Sequence, residues 1–319
     1  MKPGGSRRSG FSAPAYAGDF PDPSVLSDGE LYWAYGTGSG GTDLQVMSSP
    51  DLSSWTAPTE ALGGLASWAS RGFTWAPAVE RIGDRYVMYY SVRHAALGVQ
   101  AVSVATSPRP GGPFVDETSE ATVVQVDHGG SIDARPFADP ASGRLVLVWK
   151  SDDNSLGRPS HIWARELTPD GLAFAAGSTP TELLSASAFW QFPTVEGPAL
   201  VLDGDTYYLF YAANSYTSAS SGIGYATSKS LLGRYRDRSS SGPWMAGSGN
   251  AQGPQGPMVF VDRSASLRLA FAAWYGQVGY RRGGRRALWF AGLRFSDDGR
   301  PEIVEAPGPG SVGENPPDG

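Results

Sequence analysis

Short apolar runs separated by turn-forming residues recur along this chain. The clearest example is residues 199–211, where the runs 199–202 and 206–211 flank the turn sequence Asp203-Gly204-Asp205. Apolar runs joined through Asp-Gly are typical of a β-hairpin. No ten-residue segment stands out with the periodicity of a helix. The pattern therefore predicts an all-β protein built from short strands.

The same layout occurs five times, and a proline opens the first strand of each unit. The prolines recur at intervals of roughly 60 residues, as in repeat architectures, and are Pro23, Pro77, Pro136, Pro198 and Pro257. After each proline come a short apolar strand, a turn and a stronger strand. Five such units predict a single-domain, five-bladed β-propeller. A β-sandwich is the alternative, but the recurrence of one order in all five units favours the propeller.

Proline at these positions agrees with a propeller. The first strand of a blade lies on its inner edge, where a missing backbone N–H costs little. We predict that the propeller spans residues 17–300. The segments 1–16 and 301–319 are rich in proline and glycine, and we expect them to be disordered tails.

Composition limits the classes of binding partner and does not change the predicted fold. The net charge is −6 and no basic block is present, which excludes nucleic acid as a partner. No apolar stretch is long enough to span a bilayer, and the absence of cysteine excludes disulfides and thiolate metal sites. Residues 1–18 lack the apolar segment of a signal peptide, so the sequence leaves open a cytoplasmic protein or a secreted one whose signal was removed. We expect a monomer.

Three of the five units carry a carboxylate close to the start of the first strand: Asp22, Asp133 and Glu196. Taken singly, each of these carboxylates is more typical of an ordinary turn or loop than of an active site. In a propeller, however, these positions fall at the mouth of the central channel, so the three carboxylates would converge on one polar pocket. Neighbouring carboxylates repel and move their pKa values apart, which separates an acid from a base. The set therefore predicts an active site.

The residues around these acids resemble glycoside hydrolase family 43. The resemblance is carried, in this order, by Phe20-Pro21-Asp22-Pro23-Ser24, Trp75-Ala76-Pro77, Ser131-Ile132-Asp133-Ala134-Arg135-Pro136-Phe137, Glu196-Gly197-Pro198 and Gly284-Arg285-Arg286-Ala287-Leu288-Trp289. It extends from about residue 18 to residue 295. The resemblance implies a five-bladed propeller that cleaves arabinans or xylans with inversion.

The resemblance also implies a role for each motif residue. Asp22 would be the general base that activates water, and Glu196 the general acid that protonates the leaving oxygen. Asp133 would hold Glu196 in position and keep its pKa high, and Arg286 would contact a substrate hydroxyl. Inversion needs two carboxyl groups roughly 6.5–9.5 Å apart, with room for a water molecule.

Further substrate contacts are predicted near these motifs. Trp75 and Trp190 are the preferred sugar-stacking residues, and the other candidates are Phe20, Phe73 and Gln255. Many members of the family have a Gly-His near a central Ca²⁺ in the fifth blade. Here the corresponding stretch, residues 252–257, has no His, which argues against a structural Ca²⁺. We expect no required cofactor and no metal-ligating residue.

Within the resemblance, we expect an exo-acting α-L-arabinofuranosidase that releases arabinose from arabinan or its oligosaccharides. A β-xylosidase and an endo-arabinanase are alternatives of the same family. A non-catalytic carbohydrate-binding propeller is the alternative of another class, and the presence of all three acids argues against it.

Overall fold

A computed structural model of the 319-residue chain describes residues 10–304. In this range the chain forms twenty-one β-strands, four short 3₁₀ helices and five sheets. Blade 1 comprises β1 (Ser24–Ser27), β2 (Tyr32–Thr37), β3 (Leu44–Ser49) and β4 (Thr59–Glu60). Blade 2 comprises β5 (Leu62–Gly64), β6 (Ala69–Ile82), β7 (Arg85–His94), β8 (Gln100–Ser107) and β9 (Phe114–Val115).

The other three blades follow in chain order. Blade 3 comprises β10 (Ser131–Ala138), β11 (Leu145–Ser151), β12 (His161–Glu166) and β13 (Thr181–Ser185). Blade 4 comprises β14 (Val195–Asp203), β15 (Thr206–Ala213), β16 (Gly222–Ser228) and β17 (Arg236–Asp237). Blade 5 comprises β18 (Gln252–Val261), β19 (Leu267–Tyr275), β20 (Arg285–Phe295) and β21 (Pro301–Val304). The 3₁₀ helices are Val126–His128, Asp153–Leu156, Phe189–Gln191 and Tyr280–Arg282.

Each blade is an antiparallel meander, apart from the short parallel pair β5–β9 at the outer edge of blade 2. The inner strands β1, β6, β10, β14 and β18 contact one another in sequence, and β18 contacts β1. This closed ring of inner strands confirms the five-bladed propeller and excludes the sandwich. No helix in residues 10–304 is long and apolar enough to cross a membrane.

The hydrophobic core consists of five clusters, one at each interface between neighbouring blades. Met88 of blade 2 packs in one cluster with Tyr35 of blade 1, and Val148 of blade 3 packs in another with Leu209 of blade 4. The other three clusters join blades 2 and 3, blades 4 and 5, and blades 5 and 1. Burial of apolar side chains between blades therefore holds the sheets around the channel.

Residues at both ends of the described range pair with blade 5, so the predicted tail boundaries were wrong. Tyr16 forms a β-bridge with Leu288, and Phe11 packs edge-on against Phe271. At the other end, residues 301–304 form β21, which pairs with β20. The N-terminal segment thereby ties blade 1 to blade 5. The remaining predicted tail residues, 1–9 and 305–319, lie outside the described residues.

Candidate active site

One residue within each inner strand, or just before it in blade 1, has a left-handed backbone. Its φ lies between 47° and 57° in all five blades, at Asp22, Ala76, Asp133, Gly197 and Gly256. In blades 2 to 5 a β-bulge falls at this residue. A bulge turns a strand locally and re-aims its side chains, and such bulges are common beside active sites. All five blades thus use a residue with left-handed backbone to direct side chains into the channel mouth.

The position of the left-handed residue in blade 3 corrects the alignment of the third sequence unit. The bulge in β10 lies between Ile132 and Arg135, so Asp133-Ala134 occupies the place of Asp22-Pro23. The equivalent of Pro23 is therefore Ala134, two residues before Pro136, and the predicted equivalence of Pro136 with Pro23 is wrong. With this correction Asp22 and Asp133 hold the left-handed position of their blades, and Glu196 lies one residue before it.

The inner strands approach so closely that glycine is required at this position in two blades. A Cβ atom on Gly256 would lie 3.1 Å from the Cα of Asp22, and one on Gly197 would lie 3.2 Å from the Cα of Gly256. Both glycines also have a positive φ, which glycine adopts without steric cost. The Gly-Pro pairs of blades 4 and 5 therefore allow the ring of strands to close beside the acids.

The structure brings the three predicted carboxylates together. Asp22, Asp133 and Glu196 line one small pocket at the mouth of the channel. They reach it from blades 1, 3 and 4, although they are far apart in sequence.

Two neighbours hold the Asp22 carboxylate in place. The Arg286 side chain donates from Nη2 to Asp22 Oδ1 at 2.6 Å, and Thr37 Oγ1 donates to Asp22 Oδ2 at 2.7 Å. Thr37 Oγ1 in turn accepts a hydrogen bond from the N–H of Ala76. Charge-assisted hydrogen bonds of this kind are short and hold a carboxylate in a fixed orientation. Asp22 is therefore fixed as a hydrogen-bond acceptor at the pocket.

Glu196 has the environment of a carboxylic acid that holds its proton. Burial is the main cause that raises its pKa, from 4.5 to about 7, and the charges of Asp133 and Asp22 act in the same direction. The ammonium group of Lys150, 3.9 Å from Glu196 Oε2, opposes this rise. Near neutral pH, Glu196 can therefore donate a proton.

Asp133 supports the strand that carries Glu196. Its Oδ2 accepts a hydrogen bond of 2.9 Å from the N–H of Gly197, the residue after Glu196. Burial raises the pKa of Asp133, and Asp22 adds to the rise, whereas Lys150 and the Gly197 N–H lower it. Asp133 therefore acts on Glu196 through the backbone and through its charge.

Arg286 and Gln255 form a second layer beside Asp22. Although burial opposes the charged form, the Asp22 carboxylate raises the pKa of Arg286 above its usual range. Gln255 is buried, accepts from Arg286 Nη2 at 3.1 Å and donates to Ser221 Oγ at 2.8 Å. Gln255 therefore orients Arg286 within the described structure. A direct contact of either residue with substrate stays a prediction.

The aromatic candidates fall into two groups. Phe20 is 0% exposed and packs in the core cluster between blades 5 and 1, so its predicted contact with sugar is wrong. Trp190 packs on Tyr211 in the cluster between blades 3 and 4, and its indole N–H donates to the carbonyl of Ser239. Both rings contribute to packing between strands or blades.

The second group lies at the surface. Trp75 is half-buried and directly precedes Ala76, at the place that Glu196 holds in blade 4. Phe73 is 42% exposed, with the Arg93 guanidinium 5.2 Å from its ring centroid. A stacking role for these two residues stays a prediction.

The channel does not resemble a cation site. Between residues 10 and 304, no group of three or more His, Asp or Glu side chains has the arrangement to hold a metal ion. The buried guanidinium of Arg135 lines the pocket and would repel a cation. In the fifth blade, Gln255 is hydrogen-bonded to Arg286 and Ser221. These residues do not fit a structural Ca²⁺.

Three polar residues that line or adjoin the site were not predicted as site residues: Thr37, Lys150 and Arg135. Lys150 is 1% exposed and follows the apolar run 145–149 at the end of β11. The chain has only three lysines, so a lysine closing a buried strand was a usable signal. Thr37 gave no such signal, because only the pairing of strands places it beside Asp22.

A five-bladed propeller with a protonatable glutamate and two further carboxylates at its channel mouth defines a hydrolase-type site with an acid and a candidate base. The chain belongs to glycosyl hydrolases family 43, whose family model matches residues 11–301. A crystal structure of a thermostable family-43 glycoside hydrolase superposes with a TM-score of 0.79 at 25% identity, covering 97% of this chain and 99% of the other.

Curated relatives match over part of their length. A probable arabinan endo-1,5-α-L-arabinosidase A from Aspergillus flavus is 29% identical over 198 residues, covering 60% of this chain and 57% of the relative. An extracellular exo-α-(1→5)-L-arabinofuranosidase, ArbA, from Cellvibrio japonicus is 26% identical over 214 residues, covering 60% of this chain and 58% of the relative. The matches thus span less than two thirds of either relative.

Proposed function

We propose that this protein is an inverting, exo-acting α-L-arabinofuranosidase that releases single arabinose units from the end of arabinan or arabino-oligosaccharides. The observation that carries the proposal is the shared pocket of Asp22, Asp133 and Glu196. Its two candidate catalytic groups have different environments, because Asp22 accepts hydrogen bonds from a guanidinium and a hydroxyl, whereas desolvation raises the pKa of Glu196 to about 7.

In the proposed reaction, Glu196 donates its proton to the glycosidic oxygen as the bond from this oxygen to the anomeric carbon breaks. A water molecule attacks the anomeric carbon from the opposite side and gives its proton to Asp22. One bond breaks, one forms, and the configuration at the anomeric carbon inverts. Asp133 is the positioning residue for Glu196.

Two observations support release from a chain end. The side chains of Asp22 and Glu196 are only 23% and 20% exposed, so the carboxylates are recessed below the surface. A recessed pocket admits the terminal unit of a polysaccharide more readily than an internal one. The relative from Cellvibrio japonicus is named for exo action on α-(1→5)-linked arabinofuranose.

Endo action is the second candidate, because the fungal relative is named as an endo-1,5-α-L-arabinosidase. The two candidates share one mechanism and differ in which unit of the chain enters the pocket. A β-xylosidase would differ in the sugar itself.

A single substrate panel tests the proposal. Purified protein is incubated with 4-nitrophenyl α-L-arabinofuranoside, 4-nitrophenyl β-D-xylopyranoside and linear arabinan, and the products are followed by ¹H NMR from the first minute. We expect cleavage of the arabinofuranoside with the β-anomer formed first, and arabinose as the only early product from arabinan. An α-anomer formed first would contradict inversion, and early oligosaccharides would indicate endo action. Faster xyloside cleavage would indicate a xylosidase, and binding without cleavage a non-catalytic propeller.

A further inference from the structure

Two tyrosine rings at the mouth of the channel have no role in the proposed chemistry. Tyr216 lies in the loop 214–221, which joins β15 to β16, and Tyr280 lies in the loop 276–284, which joins β19 to β20. Both loops are at the channel mouth, because the ends of β15 and β19 pair with the first residues of the inner strands β14 and β18. Tyr216 is 45% exposed and Tyr280 is 48% exposed. Both rings are therefore accessible to a ligand that enters the mouth.

The Tyr216 ring covers one side of the arginine that holds the candidate base. The guanidinium carbon of Arg286 lies over this ring, 5.3 Å from its centroid, and a cation over an aromatic face is attracted to it. Arg286 Nη2 donates to Asp22 Oδ1 at 2.6 Å, and its backbone N–H donates to Asp19 Oδ1 at 2.8 Å. Arg286 is thus fixed through both its side chain and its backbone. A single side chain separates the Tyr216 ring from the Asp22 carboxylate.

A buried tryptophan supports both tyrosines. Tyr280 packs edge-on against Trp274, with 4.8 Å between the ring centroids. The Trp274 indole N–H donates to the carbonyl of Tyr216 at 2.7 Å, which links the two loops. Trp274 itself is 1% exposed, so it lies beneath the accessible rings. Tyr216 and Tyr280 are therefore anchored on the same side chain, and we call this pair the tyrosine wall.

The surroundings of the tyrosine wall fit an uncharged sugar ring. The charge of the Arg286 side chain is already paired with Asp22, so the wall lies beside a balanced ion pair. Tyrosine presents an apolar ring and a polar hydroxyl, and ligand pockets generally combine aromatic surface with a few polar groups that fix orientation. A sugar has the matching character, because its ring faces carry C–H groups and its edges carry hydroxyls.

The positions of the acid and the base indicate which sugar unit the wall contacts. In the proposed reaction Glu196 protonates the leaving oxygen, so the remainder of the polysaccharide departs on the Glu196 side. The attacked unit lies between Glu196 and Asp22. The tyrosine wall adjoins Asp22 through Arg286, so it lies on the side of the unit that is released.

We propose that Tyr216 and Tyr280 form a binding surface for the terminal sugar unit, against which the ring of the released arabinose packs. The proposal rests on the proposed function, because that function determines which side of the pocket holds the terminal unit. It adds contacts from blades 4 and 5 to those predicted for Trp75 and Phe73 of blade 2.

Binding measurements in Glu196→Gln test the contact without turnover. Arabinotriose is titrated by calorimetry, and methyl α-L-arabinofuranoside, which carries only the terminal unit, is titrated as its competitor. Tyr216→Ala and Tyr280→Ala should each weaken binding about threefold to tenfold, the loss expected for one aromatic contact. The factor should be the same for the two ligands, because they share the terminal unit. Tyr280→Phe should bind close to the parent, because it keeps the ring.

Trp55→Ala is the matched control. Trp55 stacks on Phe290, but it follows β3 at the end of blade 1 that lies away from Asp22. Its loss should leave both affinities unchanged. If the tyrosine variants lost affinity for arabinotriose and kept it for the methyl glycoside, the rings would contact the leaving chain, and the assignment to the terminal unit would be overturned.

Tyr280→Leu decides the case if Tyr280→Ala does not fold. Leucine keeps apolar volume against Trp274 and lacks the flat ring, so the same loss of affinity is expected. A second measurement needs no substitution in the wall. N-acetylimidazole modifies accessible tyrosines in Glu196→Gln, and peptide mass spectrometry follows the rate at each site. Saturating methyl α-L-arabinofuranoside should slow modification of Tyr216 and Tyr280.

Unchanged affinity in Tyr280→Leu, or unchanged modification rates at both tyrosines, would overturn the proposal. These measurements involve no cleavage, so their outcome is separate from the substrate panel. A protein that cleaves arabinofuranosides but binds them equally well without the rings would keep the proposed function and lose only the tyrosine wall. A protein that cleaves no arabinofuranoside would lose the proposed function itself.

Discussion

Replacing Glu196 by Gln should make the protein more stable at alkaline pH, because the site holds this carboxyl in its neutral form. Burial raises the pKa of Glu196 from 4.5 to about 7. Between these two pH values the folded protein binds a proton that the unfolded chain has lost. Stability therefore falls as pH rises through this interval and is level above it. Gln keeps the shape of the protonated acid and cannot ionise.

The magnitude follows from the shift. A shift of about 2.5 pH units, at roughly 1.36 kcal/mol per unit, corresponds to about 3.4 kcal/mol at pH values well above 7. About 2.5 kcal/mol of this develops between pH 5 and pH 8. The stability of Glu196→Gln relative to wild type should rise by this amount over that range.

Guanidinium chloride unfolding at pH 5, 6, 7 and 8 measures the difference directly. Glu166→Gln is the control of opposite sign. In wild type, the hydrogen bond that Arg144 donates to the Glu166 carboxylate lowers the pKa of Glu166. Its contribution is complete above the unfolded pKa of Glu and is lost only as pH falls further. The Glu166→Gln difference should therefore stay flat from pH 5 to pH 8. If the difference in unfolding free energy between Glu196→Gln and wild type were also constant from pH 5 to pH 8, the raised pKa of Glu196 would be refuted.

Three further substitutions test the surroundings of the acids. Lys150→Met removes a cation that lowers the pKa of Glu196, so the alkaline limb of the kcat/KM profile should move up by about one unit; an unmoved limb would exclude this role for Lys150. Gly256→Ala and Gly204→Ala both add a Cβ at a positive φ, with a backbone cost of roughly 1–2 kcal/mol in thermal unfolding, but only the Cβ at Gly256 meets the Cα of Asp22. Only Gly256→Ala should therefore lose activity, and equal activity in the two variants would contradict the close approach at the channel. Thr37→Val removes the hydrogen bond to Asp22 Oδ2 and should lower kcat about tenfold or more, since hydrogen bonds to charged groups contribute roughly 1.5–3 kcal/mol; Thr37→Ser should restore most of the rate, and a variant with wild-type kcat would show that the bond does not matter.

The sequence was sufficient for the fold because the turns and prolines act locally. The turn at Asp203-Gly204-Asp205 joins β14 to β15 as expected, with Asp203 paired to Thr206. The three acids could be found for the same reason, since each stands at nearly the same phase of its repeat. Their convergence then follows from the closure of the propeller.

The wrong predictions arose from structural features that the order of residues along the chain does not show. Pro136 suggested the wrong phase for the third unit, because the bulge includes Asp133 and Ala134, and Ala134 stands where the first unit has its proline. Phe20 lies next to the Asp22 motif, but its ring points into the core beneath Tyr16. Closeness to Asp22 in sequence therefore does not place a ring in the channel, because packing between blades 5 and 1 directs the Phe20 ring into the core.

The polar partners of the acids were hidden because strand pairing brings them in from elsewhere. Thr37 lies at the end of β2 and Lys150 near the end of β11, each one strand away from the inner edge. The strand β21 was hidden for a related reason, since it begins with a proline, is only partly buried and pairs only with β20.

The most direct test of the proposed catalytic roles compares two variants on two substrates. Glu196→Ala and Asp22→Asn are assayed with 2,4-dinitrophenyl α-L-arabinofuranoside, whose leaving group needs no proton, and with arabinobiose, whose leaving group needs one. We expect Glu196→Ala to lose roughly 10²–10⁴-fold on arabinobiose and to stay near wild type on the dinitrophenyl substrate. Asp22→Asn should lose activity on both, because water must still be activated. Equal losses for Glu196→Ala on the two substrates would contradict the assignment of Glu196 as the acid, and full activity of Asp22→Asn would contradict the assignment of Asp22 as the base.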